Sequence, residues 1–287
     1  TCKEARRLLG KTTPRVEMNL RIYCINLKSR ADRWERFFQQ PGFQELIQKY
    51  PWERFDAIDG KTIDIEKDTR VSLRTRRNIM YKKRRDHEDL DSAGGVGCYL
   101  SHYTVWTKII AQPEEYGLVF EDDALIPLGF VKQLEAAFLE YQALEEKAKP
   151  DVWTLSVPFN RPIIEAVHNT VVFNFGDWNY SVNAPNTANI YTKKAVKILV
   201  DNAFPIDGHV DFFMFRCAQL GLIVYAQYQK LWVRQVSLKK KGIVDSNIQG
   251  VKCDVCNIPT DANSRGYFIL SGQNKVSIAV ILIGFGI

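Results

Sequence analysis

The chain has 287 residues, 46% of them hydrophobic, with 39 Lys and Arg against 33 Asp and Glu for a formal net charge of +6. That length and apolar fraction exclude a short disulfide scaffold and a disordered chain, and allow one large α/β domain or a domain with extensions. The six cysteines, at 2, 24, 98, 217, 253 and 256, are dispersed, so Cys24 in an apolar run and Cys98 in a helical one read as small core residues. The pair Cys253 and Cys256 has the spacing of half a zinc site, but no second pair accompanies it, which favours a local disulfide or free thiols. Because the sequence begins at Thr1, it is expected to be a processed or partial product, with any upstream leader or anchor invisible.

In chain order, residues 20–27 form an apolar run expected to be a first buried strand. Ser29 offers an N-cap for a helix over 31–40, in which Trp34, Phe37 and Phe38 fall at helical spacing before Pro41-Gly42 stops it. Residues 52–58 read as a short strand followed by an Asp59-Gly60 turn, and 61–93 as a long charged excursion without clear period. Eight basic residues, Arg70, Arg74, Arg76, Arg77, Lys82, Lys83, Arg84 and Arg85, fall within that excursion. They predict an anionic partner at 70–85, namely an acidic acceptor, a protein surface or a membrane face, with nucleic acid the weaker reading.

From Gly97 a mostly buried helix runs to near Pro113, and the strand Leu118-Val119-Phe120 follows. A helix over 130–147, a strand over 151–157 and further strands over 171–175 and 187–191 come next. Thr192 then caps a helix over 193–202, another helix spans 210–220, and strands occupy 222–225 and 231–236. The pattern predicts a mixed sheet flanked by helices. Residues 276–287 carry no charge; a helix of that length covers about 18 Å against a hydrocarbon core of about 30 Å. It cannot span alone, so it is either the beginning of a membrane helix or a packed terminal element.

Three segments carry candidate chemistry. Glu121, Asp122 and Asp123 close an apolar strand, and carboxylates gathered where desolvation is costly call for a cation such as Mn²⁺ or Mg²⁺. The alternative is a solvated turn in which Asp123 caps a helix. Gly94-Gly95-Val96-Gly97 precedes Ser101 and His102 and either cradles a phosphate or simply turns; the dinucleotide fingerprint fails because Leu100 stands at its third glycine position. Around 205–211, Asp207 reads as an N-cap and Asp211 as a first-turn anion, or either as a general base or acceptor-binding carboxylate, with His209 between them.

Together these segments resemble glycosyltransferase family 25, which includes bacterial lipopolysaccharide glycosyltransferases and animal procollagen galactosyltransferases, with relatives in large DNA viruses. The strand ending Ile25-Asn26-Leu27 followed by Arg30, Arg33 and Arg36 resembles the family's opening strand and arginine-bearing helix. Gly97-Cys98 with Ser101-His102, then Glu121-Asp122-Asp123, Asn189-Ile190-Tyr191 and Pro205-Ile206-Asp207 match later motifs in the same order. The resemblance covers roughly residues 20–246, expected as the catalytic domain, with extensions over 1–19 and 247–287. It implies a GT-A type, Rossmann-like α/β fold, a UDP-sugar donor carrying galactose or glucose, a glycan or protein acceptor, and inversion at the anomeric carbon. It further implies donor contacts at Asn26, Leu27, Arg30, Arg33, Gly97, Ser101, His102, Glu121 and Asp122. Mn²⁺ or Mg²⁺ would sit on Asp123 with Glu121 and His209, and Asp207 or Asp211 would be the base. The competing expectation is a transferase fold with little turnover, serving as a structural or binding component of a membrane-linked or virion assembly. On either reading a membrane-associated setting, in a secretory pathway, bacterial envelope or virion, is expected over free cytoplasm.

Overall fold

The computed structural model of the protein describes residues 18–83, 88–156, 174–175, 178–179, 186–228, 230–231, 233–236, 239–240 and 243–244. Among the described residues the main sheet has eight strands, in the order β2-β1-β3-β8-β5-β9-β7-β6. These are β1 (Leu20–Asn26), β2 (Trp52–Asp56), β3 (Tyr116–Glu121), β5 (Val152–Thr154), β6 (Asn174–Phe175), β7 (Trp178–Asn179), β8 (Ala188–Thr192) and β9 (Tyr225–Tyr228). Strands β1, β2 and β3 are mutually parallel, Ile25 lying opposite both Phe55 and Glu121, so all three end on one edge. Strand β8 runs antiparallel to β3 and β5, which makes the sheet mixed. Two short pairs stand apart: β4 (Ala124–Leu125) with β10 (Arg234–Gln235), and β11 (Lys239–Lys240) with β12 (Ile243–Val244).

Alternate residues of a strand face opposite sides, and β1 is apolar on both. Leu20, Ile22 and Cys24 join Phe37, Phe43, Leu118, Phe120, Phe130 and Leu134 in one core. Tyr23 and Ile25 join Leu100, Trp106, Ile109, Val119, Leu199 and Met214 in the other. Helices α1 (Ala31–Phe38), α2 (Pro41–Lys49) and α5 (Phe130–Ala143) therefore cover one face, and α4 (Ala93–Ala111), α6 (Lys193–Asp201) and α7 (Val210–Gln219) the other. This is the mixed α/β sheet flanked by helices that the sequence pattern predicts.

Several local expectations need correcting. Helix α1 is headed by Arg30 without a side-chain cap, so Ser29 does not cap it, and Pro41 opens α2, where its missing N–H costs nothing. The charged excursion contains helix α3 (Leu73–Tyr81), whose N-cap Ser72 Oγ accepts the Thr75 N–H at 3.1 Å. Asp123 caps no helix, since α5 begins at Phe130 behind Gly129 with φ 75°. Asp207 is likewise not the cap of α7, which His209 heads. The last turn expected near 147 is a separate 3₁₀ turn, Glu146–Ala148, and the strand expected at 222–225 is displaced to β9. Thr192 does cap α6, accepting the Ala195 N–H at 3.1 Å. Cys24, Cys98 and Cys217 are free, with Cys24 fully buried. Cys2, Cys253, Cys256, most of 171–175 and all of 276–287 lie outside the described residues. Among those described, no helix is long and apolar enough to cross a membrane.

The glycines at 94–97 are not a turn before the helix but its first turns, capped by Ser92 Oγ on the Gly95 N–H at 3.2 Å. Their role is close approach. A Cβ on Gly97 would lie 2.4 Å from the Ile58 carbonyl oxygen and 2.7 Å from the Gly60 nitrogen. The Ile58 N–H donates to Ser101 Oγ at 2.8 Å, and that hydroxyl donates to the Gly97 carbonyl at 2.7 Å. Helix α4 is thereby fastened against the segment leaving β2, which sets His102 under the end of β3.

Candidate active site

Because β1 and β3 are parallel neighbours, Asn26 and Glu121-Asp122-Asp123 emerge at the same edge of the sheet. The Asn26 amide donates to Asp122 Oδ2 at 2.6 Å and to the Arg30 carbonyl at 3.2 Å. Its oxygen accepts two bonds from Arg54, Nη2 at 2.6 Å and Nε at 3.1 Å. The Arg54 guanidinium also lies 4.7 Å over the Trp34 ring. From α1, Arg33 Nη2 reaches Asp122 Oδ1 at 2.5 Å and Asp123 Oδ2 at 3.0 Å. Asp123 Oδ2 further accepts from Gln235 at 3.1 Å, and its backbone carbonyl from the Val236 N–H at 2.7 Å. The other carboxylate oxygen, Asp123 Oδ1, is buried with no partner among the described residues.

Glu121 turns the opposite way, its Oε1 3.2 Å from His102 Nε2. His102 is fully buried and also contacts the Asn186 amide, 3.3 Å from Nδ1. Burial first, then the charges of Asp123, Asp122 and Asp211, push the Glu121 carboxyl well above the usual carboxylate range. Burial lowers His102 to about 4, against the attraction of Asp211, so the ring is neutral at physiological pH. Asp122 is raised by burial, with Arg33 and Asn26 opposing. Asp211, in the first turn of α7, is raised by burial against the hydrogen bond from the Phe212 N–H. Carboxyls raised in this way relieve their mutual repulsion and burial either by holding a proton or by accepting a cation.

The two aspartates proposed around α7 thus separate. Asp211 feels His102 and in turn perturbs Glu121 and Cys98. Asp207 belongs to another network: it accepts from Ser72 Oγ at 2.8 Å and from Arg74 Nε at 3.1 Å and Nη2 at 2.7 Å. It ties α3 to the approach of α7. His209 is half-buried, its N–H donating to the Glu88 carbonyl at 3.0 Å and its ring against Phe212. Among the described residues the metal-capable side chains that converge are Cys98, His102 and Glu121, a group that does not include His209.

Of the remaining expected donor contacts, Leu27 lines a cleft of about 370 Å³ with Lys28, Ser29, Ala57 and Asp59. That cleft lies beyond the carboxyl ends of β1 and β2, where open α/β sheets bind ligands. Arg30 pairs with Asp32 at 2.9 Å, while Gly97 and Ser101 are turned to packing α4. The basic segment is not a free patch: Arg70 pairs with Asp68 and Arg74 with Asp207, and Arg76 donates to the carbonyls of Val71, Glu66 and Asp68. Arg77, Lys82 and Lys83 are exposed, and Arg84 and Arg85 lie outside the described residues. Arg54, Asn186 and Gln235 escaped the sequence reading. Their partners Asn26, His102 and Asp123 are 28, 84 and 112 residues away, and no local spacing signals such a meeting.

These features define a mixed-sheet α/β protein whose parallel strands end in a site lined by carboxylates and arginines. The family model for glycosyltransferase family 25, described as an LPS biosynthesis protein, matches residues 19–214. The chain belongs to this family. It is 27% identical over 201 residues to a glycosyltransferase 25 family member of Aedes aegypti, a match covering 66% of this chain and 30% of that protein. It is 33% identical over 113 residues to human procollagen galactosyltransferase 2, covering 39% and 17%. Over 119 residues it is 40% identical to a protein of Acanthamoeba polyphaga mimivirus named as a candidate glycosyltransferase, covering 40% and 32%. The matched region spans no more than a third of the length of each of these relatives. Among solved structures, S. aureus TarS (residues 1–349) superposes with a TM-score of 0.36 and 15% identity over 77% of this chain and 61% of that one.

Proposed function

We propose that this domain is a metal-dependent hexosyltransferase, moving galactose or glucose from a UDP-sugar to a glycan or protein acceptor with inversion at the anomeric carbon. The observation that carries it is the buried Asp123 Oδ1 at the end of β3, without a partner among the described residues, in a cluster with Glu121 and Asp122 where Arg33 is shared between Asp122 and Asp123 while Glu121 faces His102. An orphaned carboxylate oxygen among oxygen donors suits a hard divalent cation. Asp123, joined by Glu121 once its carboxylate turns from His102, would hold Mn²⁺ or Mg²⁺, which when bound supplies Lewis-acid stabilisation of the departing diphosphate.

The chain's own residues do the rest. Arg33 fixes Asp122 and Asp123 and keeps the two carboxylates from repelling each other apart. Arg54 pins Asn26, and Asn26 pins Asp122, so the site is oriented before a donor arrives. Asp211 takes the proton of the acceptor hydroxyl as that oxygen attacks the anomeric carbon from the face opposite UDP. Its raised pKa makes it a stronger base than an ordinary aspartate. Asp207 anchors α3 and has no part in the chemistry. The procollagen galactosyltransferase relatives favour galactose and a protein acceptor.

Release and transfer of sugar from UDP-galactose and UDP-glucose, with and without Mn²⁺, test this reading. Asp211→Asn should lower turnover by about 10²-fold or more with donor affinity nearly kept, whereas Asp207→Asn should keep most turnover. Absence of hydrolysis and transfer from either donor would favour the structural or binding component instead.

A further inference from the structure

Cys98 and His102 are four residues apart on α4, so they share one helix face one turn apart. The end of β3 lies over that face and brings Glu121 to it. The thiol sulfur, a ring nitrogen and a carboxylate oxygen of these three residues all lie within 4.8 Å of one another. We infer that Cys98, His102 and Glu121 form a second metal site, selective for a borderline-soft divalent ion such as Zn²⁺, whose occupancy withdraws Glu121 from the oxygen site around Asp123.

Ligand chemistry separates the two sites. A sulfur, nitrogen and oxygen set is the donor mixture of zinc, whereas Mn²⁺ and Mg²⁺ prefer oxygen alone. Bonds of about 2.0–2.3 Å to a tetrahedral ion place its ligands about 3.5 Å apart. The imidazole and carboxylate already stand at 3.2 Å, so mainly the Cys98 side chain must move, by about an ångström. Three protein ligands leave the fourth position to water. A metal-bound imidazole carries a proton on its other nitrogen and needs an acceptor there. Asn186 Nδ2 lies 3.3 Å from Nδ1 and 3.4 Å from Nε2, and its Oδ1 accepts from Asn189 and Tyr191, so metal binding requires this amide to flip and exchange those bonds for one from the Nδ1 proton. Cys98 is neither disulfide-bonded nor fully buried. Burial and the carboxylates of Glu121, Asp211, Asp123 and Asp122 hold its thiol protonated; a dication in their midst offsets each of these effects and releases the proton.

Co²⁺ is the probe, because a cobalt thiolate bond gives a charge-transfer absorption in the near ultraviolet that oxygen ligation does not. The titration uses the full chain with Cys253→Ser and Cys256→Ser, since that pair is a competing thiolate source. The expected result is about one equivalent of Co²⁺ with a thiolate band that Zn²⁺ displaces and excess Mn²⁺ does not. The band should vanish in Cys98→Ser, and Zn²⁺ affinity by equilibrium dialysis should fall tenfold or more in Cys98→Ser and in Glu121→Gln. A Co²⁺ spectrum without the band, or a band that survives Cys98→Ser, overturns the site. Inhibition of Mn²⁺-dependent UDP-sugar hydrolysis by Zn²⁺, relieved in Cys98→Ser, follows only if the transferase reading holds. The cobalt titration does not depend on that reading, so the two failures are distinguishable.

Discussion

Replacing Gly97 by Ala asks whether this glycine serves backbone packing, and the answer has a sign. Helix propensity alone would make Ala at an α4 position more stable by about 1 kcal/mol. Against that, the added Cβ would sit 2.4 Å from the Ile58 oxygen and 2.7 Å from the Gly60 nitrogen. Both are backbone atoms, so relief requires moving α4 and the 58–60 segment apart by about 1 Å, and forced overpacking typically costs about 1–3 kcal/mol, occasionally more. The Ile58 to Ser101 hydrogen bond lies at the same contact and adds about 1 kcal/mol when stretched. The net expectation is a loss of about 1–3 kcal/mol. Gly117→Ala provides the contrast: the nearest atoms to its Cβ are side-chain carbons of Ile109, Cδ1 at 2.4 Å and Cγ1 at 2.5 Å, and a side chain can shift without parting two backbone segments, so its loss should be smaller. Urea unfolding with an unchanged m-value measures both. A Gly97→Ala protein as stable as the parent, or more so, would refute the packing argument and return the glycine to the phosphate-cradling role suggested by its sequence context.

Removal of Arg54 tests the chain of contacts that orients Asp122. Arg54→Met gives up two hydrogen bonds from a charged donor and a cation–π contact and should cost about 2–3 kcal/mol of stability and weaken Mn²⁺ binding by calorimetry. Arg54→Lys should recover only part of both, because a single ammonium cannot replace the fork. The lowered pKa of His102 predicts a pH signature. Between about pH 4 and its ordinary value of 6.5, the unfolded chain binds the extra proton, so this group makes stability rise with pH across that window, by up to a few kcal/mol. Unfolding free energies of parent and His102→Gln, compared across the window, should differ in slope in that direction. Parallel curves would mean the ring is not held neutral.

The parts of the fold legible in the sequence were those governed by local pattern. Strands β1 and β3 are apolar on both faces because both faces are covered, and Thr192 caps α6 through a contact three residues away. Helix α3 was hidden because Leu73, Met80 and Tyr81 are exposed and Ile79 is its one apolar residue packed on the core, while buried Thr75 and Asn78 and the Ser72 cap hold it. No hydrophobic period therefore marks it. The glycines of α4 read as a turn because local propensity says so, and a tertiary approach overrides it. The acidic strand end announced a charged site, but not the arrangement within it. Which aspartate near α7 joins the site depends on Arg74, 133 residues from Asp207, and on His102, neither of which spacing can place.

On the proposed mechanism Asp123 anchors a divalent cation needed for binding the sugar nucleotide. Calorimetric titration of UDP into the parent and Asp123→Asn proteins, with Mn²⁺ and with EDTA, tests it most directly. Mn²⁺-dependent UDP binding is expected in the parent and its loss in Asp123→Asn, with thermal stability unchanged or raised because one of three crowded carboxylates is neutralised. UDP binding that is equal in EDTA, or undiminished in Asp123→Asn, would contradict it.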